Sequence, residues 1–154
     1  NNFRLFLSLH DLGKPIAVEE TKSSATQHEY TLRLLPQILA YLNIDQREAE
    51  IITTLASQDY IGSYMQRRIS LEAAATAIKD TALALGVPVN DLMNLMVVYY
   101  MSDASAYTED AGGKKGLDSL FKFKRDPNNN KGEAKLVDDY QKSLDELTNL
   151  VLAA

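Results

Sequence analysis

Apolar residues recur at spacings of three and four along almost the whole of this 154-residue chain. That period belongs to the α-helix, whose ~3.6 residues per turn bring such positions onto one face. Leu32, Leu35, Ile38, Leu39 and Leu42 form one such series, and Leu136, Tyr140, Leu144, Leu147 and Val151 another. No strand pattern of comparable length competes with them, so the fold class expected is all-α.

Helix breakers and caps divide the pattern. A first helix runs to Leu12 and stops at Gly13 and Pro15, since glycine permits a left-handed turn and proline cannot extend the ladder. Ile16 to Gln27 is polar and irregular and reads as a loop, with Ser23, Ser24 and Thr26 as candidate caps. His28 to Asn43 is the next helix, with Pro36 inside it as a source of a kink. Asp45 caps a helix to about Gln58, buried through Ala49, Ile52, Leu55 and Ala56. Gly62 marks a turn. Ser70 caps an alanine-rich helix, Leu71 to Leu85, which Gly86 ends and Pro88 follows. Asn90 to Tyr107 is the most apolar helix, with Leu92, Leu95, Met96, Val98 and Tyr99, and belongs at the centre. Ala111 to Gly116 reads as a flexible loop, and Phe121 and Phe123 as residues folding back on the body. The expected organisation is a helical domain over 1–125, a linker over 126–132, and a C-terminal amphipathic helix within 133–154, its helical pattern running from Glu133 to Leu152 and packing on the body or on a partner.

Composition narrows the function. With 45% hydrophobic and 24% charged residues the chain has the balance of a globular protein with a real core. A net charge of −5 argues against a nucleic-acid coat and against an anionic membrane surface, while leaving room for a local phosphate pocket. No apolar run approaches the roughly 20 residues of a membrane span. There is no cysteine, which excludes disulfides and thiolate zinc sites and fits a cytoplasmic setting. Asn1-Asn2-Phe3 is neither an initiator methionine nor a signal peptide and reads as a cut.

The residues that can carry chemistry are few. His10 and Asp11, in "LSLHDLGKP", offer an imidazole nitrogen and a carboxylate, both good ligands for a divalent metal. Neighbours on a helix point about 100° apart, so both reach one ion only beside a helix end. Gly13 leaves room there, and Lys14 supplies a positive charge for a phosphate. The plainer explanation is a chance dipeptide. Asp103 lies on the most apolar helix, where a carboxylate is costly to bury unless paired, hydrogen-bonded or metal-bound; its plainer explanation is a carboxylate hydrogen-bonded to a tyrosine or facing water near the helix end. His28 is the only other histidine, and a surface residue or cap is its ordinary role. Arg67 and Arg68 suit phosphate forks, although a solvated charge pair is commoner. "GGKKG" lacks the spacing of a P-loop.

Taken in order, "LSLHDLGKP", "QHEYTLRLLPQIL", "IITTLASQDYIG" and "MVVYYMSDASAY" resemble the HD-domain superfamily of metal-dependent phosphohydrolases. The likeness covers about Leu5 to Tyr107, and its early part is similar to the HD region of bacterial tRNA nucleotidyltransferases. His10-Asp11-Leu12-Gly13-Lys14 matches the family's H-D-x-G-K element, and Ser102-Asp103-Ala104 its distant aspartate. The resemblance implies an HD-like helical bundle with an extra C-terminal helix. It implies a divalent ion (Mn, Mg, Fe or Zn) on His10, Asp11 and Asp103. Lys14, Arg67 and Asp59 would meet a nucleotide or other phosphate ester, and His28 would give a proton to the leaving oxygen. Two features depart from the family's pattern. Its first metal histidine lies well upstream of the pair, and none of the nine residues before His10 is histidine; that ligand belongs to a segment ahead of Asn1 or is missing. Ser57-Gln58-Asp59 stands where many members carry histidines, which implies one metal rather than two. An inactive HD-like module that binds a nucleotide or protein partner is the alternative, and a purely structural helical domain the third reading.

Overall fold

The computed structural model describes residues 2–23, 26–106, 113–125 and 132–153. Ser24, Tyr107 and the stretch 126–131 of the expected linker lie outside them. The fold is all-α, with a single two-stranded hairpin among the described residues. The chain forms two compact units, Asn1–Asp59 and Tyr60–Ala154. No single described helix is long and apolar enough to cross a membrane.

In the first unit α1 (Asn2–Leu9) buries Phe6 and Leu9. α2 (Lys14–Thr21) occupies the stretch read above as a loop. Pro15 sits in its first turn, where the missing N–H costs no hydrogen bond, so the residue expected to stop a helix starts one. Gly13 precedes it with right-handed angles (φ −77°, ψ −13°) and not the left-handed turn expected. α2 buries only Ala17, which is why its sequence carries no helical stripe.

α3 (Gln27–Tyr41) turns a face of Tyr30, Thr31, Leu35 and Leu39 inward. The stripe is rotated from the one read off the leucines: Leu42 is 43% exposed, outside the helix end. Asn43 there adopts a left-handed conformation (φ 52°), and the Ile44 N–H reaches back to the Leu39 carbonyl, closing the helix as a Schellman turn. Asp45 then caps α4 (Gln46–Ser57) as expected, its carboxylate accepting from the Glu48 N–H at 3.0 Å. Ile52, Leu55 and Ala56 are buried. α3 packs against both α2 and α4, and α1 against α4.

In the second unit Gly62 lies buried inside the short helix α5 (Tyr60–Met65), not at a turn. The turn comes at Arg67, which is left-handed (φ 58°), with the Arg68 N–H bonded to the Ser63 carbonyl. Ser70 caps α6 (Leu71–Leu85) by accepting from the Ala73 N–H. Ala74, Ala75, Ile78, Ala82 and Leu85 are its buried face. Gly86 (φ 56°) ends it. α7 (Val89–Ser105) buries Leu92, Met93, Met96, Tyr99 and Ala104, whereas Val98, expected inside, is half exposed.

The clearest corrections fall after α7. Gly113–Leu120 forms a helix, α8, with an i,i+4 ion pair between Lys114 and Asp118 where a flexible loop was expected. β1 (Phe121–Arg125) and β2 (Gly132–Leu136) pair antiparallel, Phe121 opposite Leu136. Both of those residues are buried. The expected linker therefore ends inside β2, and the last helix, α9 (Asp138–Leu152), starts five residues later than Glu133. Leu144, Leu147 and Val151 face inward, and α9 packs against α6 and α7.

Candidate metal corner

Four of the seven residues picked out for a site belong to the first unit's turn between α1 and α2 and to the start of α3: His10, Asp11, Lys14 and His28. α1 ends at Leu9, and its ladder runs one step further through the His10 N–H to the Phe6 carbonyl. The next links are Leu12 to Leu9 and Lys14 to Asp11, a tight turn that delivers the chain directly into α2. His10 and Asp11 thus protrude from a helix–helix corner, the placement two adjacent ligands need.

The imidazole is oriented by the helix itself. His10 Nδ1 lies 2.7 Å from the Leu7 carbonyl oxygen. A carbonyl can only accept, so Nδ1 is the protonated nitrogen and a neutral ring presents its lone pair at Nε2. Phe6, one turn back, sits against the ring at 6.1 Å between centroids. Nε2 stands 3.7 Å from Asp11 Oδ1, and the other carboxylate oxygen, Oδ2, is 3.2 Å from Lys14 Nζ. One ion fits: 3.7 Å is less than the sum, about 4.2 Å, of a metal–nitrogen and a metal–oxygen bond.

The corner is locked onto α3 by a contact with no slack. A β-carbon on Gly13 would stand 2.3 Å from both the Gln27 carbonyl oxygen and the Thr31 nitrogen. Glycine is required there for close approach, not for φ. Thr31, fully buried, accepts the Gly13 N–H at 2.9 Å and donates to the His10 carbonyl at 3.2 Å. His28 lies one turn before Thr31 on the same side of α3. Its Nδ1 and the hydroxyl oxygen of Thr26 are buried without a hydrogen-bond partner. Thr26 occupies the N-cap position but makes no capping bond, contrary to its expected role.

A second set of contacts ties α2 to α3. The Tyr30 hydroxyl donates to Glu20 at 2.7 Å, and the Arg33 guanidinium lies 4.6 Å over the Tyr30 ring. The bond to Glu20, followed by desolvation, pushes the Tyr30 hydroxyl above its ordinary pKa, because the neutral phenol is the form that donates. Sequence reading missed Tyr30 and Thr31. Their signal was the "EYT" that follows His28, polar positions set among leucines on an inward face.

The remaining candidates sit elsewhere. Asp59 ends the first unit. In the second unit Arg67 lines a small cavity of about 190 Å³ with Met65, Asp139, Tyr140 and Ser143. Asp103 is exposed in the last turn of α7, and Ala104 is the buried residue beside it. Among the described residues no group of three or more His, Asp or Glu side chains is placed to hold a metal ion. A groove of about 530 Å³ between α3 and α4 is lined by Pro36, Leu39, Ile44, Ala49 and Thr53 among others and includes none of the candidates. No family model, curated protein or solved structure matches this chain.

Proposed function

We propose that the chain is a metal-dependent phosphohydrolase of the HD type, acting on a nucleotide or another phosphate ester through a divalent ion at His10 and Asp11. The observation that carries the reading is the tautomer: a backbone carbonyl fixes the Nδ1 proton, so Nε2 and an Asp11 oxygen converge within the span of one cation. A divalent ion there would lower the pKa of a water and offset charge on a phosphate oxygen. Lys14, 53% exposed and held beside Asp11, is placed to bind a phosphate oxygen. By the sequence resemblance His28 would supply a proton to the departing oxygen. Asp103 is the third ligand by the sequence resemblance, while Asp59 and Arg67 remain substrate contacts on the same ground. The second reading is an HD-like module that binds a nucleotide or protein partner without turnover. Ser57-Gln58-Asp59, which offers no imidazole where the family often has one, favours it.

Metal analysis separates the two. The purified protein, dialysed against Mn²⁺ and then against buffer, should retain the ion, and Asp11→Ala and Asp103→Ala should each lose it. Hydrolysis of a generic phosphodiester should fall at least about 100-fold in both, the upper end of what loss of an outer-shell partner of a metal costs. Wild-type protein that binds nucleotide but neither retains metal nor hydrolyses the ester would leave the inactive module standing. Metal retained in Asp103→Ala but lost in Asp11→Ala would keep the corner and strike Asp103 from the ligand set.

A further inference from the structure

We infer that Thr31 is a positioning residue for the His10–Asp11 pair: its one hydroxyl holds the turn from which both ligands project. This rests on the reading of that pair as the working centre of the chain. The geometry is specific. Among the described residues Thr31 is the only polar side chain that is fully buried. Its Oγ1 takes the Gly13 N–H and gives its proton to the His10 carbonyl, so both ends of the His10–Gly13 turn close on one atom. Those two backbone groups are the kind a helix boundary leaves unsatisfied: a carbonyl just past the end of α1 and an N–H at the cap of α2. α3 therefore reaches across 18 residues to complete the ends of two other helices.

The consequence for chemistry runs through the backbone. His10 can keep its Nδ1–H on Leu7 only while its own peptide is held in place, and the Thr31 bond to the His10 carbonyl does that. Gly13 sets the other end, since its approach to Gln27 and Thr31 leaves no space for the turn to slide. Thr31 touches neither ion nor substrate. It acts by fixing which way Nε2 points.

Three variants of the full chain test this: Thr31→Val, which keeps the shape and removes both hydrogen bonds, Thr31→Ser, which keeps the hydroxyl, and Thr31→Cys, which weakens it. Circular dichroism and a urea melt establish folding. The first readout is the ¹⁵N shift pattern of the His10 ring in metal-free protein. Wild type and Thr31→Ser should show a ring protonated at Nδ1, and Thr31→Val a mixture of tautomers. The second is Mn²⁺ affinity from paramagnetic broadening of the His10 signals, expected to weaken roughly tenfold in Thr31→Val and to stay within about twofold in Thr31→Ser. A folded Thr31→Val with unchanged ring shifts would overturn the inference. Should Thr31→Val not fold, Thr31→Cys carries the same test, and an unmoved tautomer there would overturn it equally. The ring shifts are read without metal, so wild type that fails to bind Mn²⁺ defeats the metal reading, while the tautomer still decides whether Thr31 positions the ring.

Discussion

The corner of the first unit and the helix set of the second are built on different principles. Around His10–Gly13 a few directional contacts do the holding: one hydroxyl, one glycine with no room for a methyl group, one phenol bonded to a carboxylate. In the second unit α6, α7 and α9 meet chiefly through packed apolar volume, with Ala74, Ala75, Ile78 and Ala82 against inward residues such as Met93, Met96, Leu147 and Val151, and the hydrogen bond from Lys79 to the Ala153 carbonyl lies at the exposed edge. A contact of the first sort tolerates almost no displacement. One of the second sort can adjust, because several side chains share the space. The comparison implies that a single atom added at the corner costs more than one added at a turn in the second unit, even when both positions are glycine.

The largest expected effect tests that implication. Gly13→Ala places a β-carbon 2.3 Å from backbone oxygen and nitrogen, atoms that move only if α3 moves with them. Its cost should reach about 3 kcal/mol or more, the upper end of overpacking. Gly86→Ala meets no such obstacle. It strains only the left-handed turn (φ 56°) and should cost about 1 kcal/mol. Urea unfolding of both variants gives the ratio. Equal losses would mean that the corner yields as easily as a helix end, and the contrast between the two units would collapse.

A middle-sized effect sharpens the comparison from the other side. Arg67 closes α5 in the conformation that glycine ordinarily takes (φ 58°). The strain of a side chain there is about 1–2 kcal/mol, and the extra freedom of unfolded glycine offsets roughly half of it. Arg67→Gly should thus stabilise the protein by about 0.5 kcal/mol in the same urea assay. If the guanidinium also meets a phosphate ester from its cavity beside Tyr140 and Ser143, the variant will gain stability while its substrate affinity falls. A loss of stability instead would show that Arg67 holds its cavity together and is no cost to the fold.

The elements legible in the sequence are those that announce themselves locally. Asp45 and Ser70 cap the helices expected of them, because a cap bonds to a residue three positions away. Gly86 ends α6 for the same local reason. What stayed hidden was set by partners far along the chain. α2 buries a single alanine, so no periodicity betrays it. The hairpin is five residues a side: both strands alternate apolar and charged residues, but over a run too short to stand out, and β2, Gly132 to Leu136, contains no β-branched residue. Gly13 looked like a turn former and proves to be a contact with Gln27 and Thr31. For the candidate site, the His10–Asp11–Lys14 cluster was readable because its members are adjacent. Thr31 was not, since nothing in "EYTL" says which helix end its hydroxyl completes. Asp103 was placed on an apolar helix correctly, and its exposure near the helix end fits the plainer explanation: the last turn of α7 buries Ala104 and exposes the aspartate.

The smallest expected effect concerns acid. α4 of the first unit is capped by a charged residue and α6 of the second by a neutral one. The Glu48 N–H bonded to Asp45 holds its carboxyl below the ordinary value of 3.8. The folded pKa is therefore the lower one, so the ionised cap contributes stability above the unfolded pKa and loses it as pH falls through the folded value. Glu72 of α6 is lowered too, first by its own N–H and then by the Ser70 hydroxyl, but the cap there is Ser70, which does not titrate. Asp45→Asn keeps an acceptor at the cap and removes its titration. The stability difference between wild type and Asp45→Asn, measured by urea melts from pH 6 downward, should hold steady to about pH 4 and shift against the wild type below it. Amide exchange should assign the change to α4, with α6 protected to lower pH. A difference that stays flat to pH 2, or a loss that begins in α6, would show that the charge on Asp45 adds nothing to the cap and that acid does not distinguish the two units.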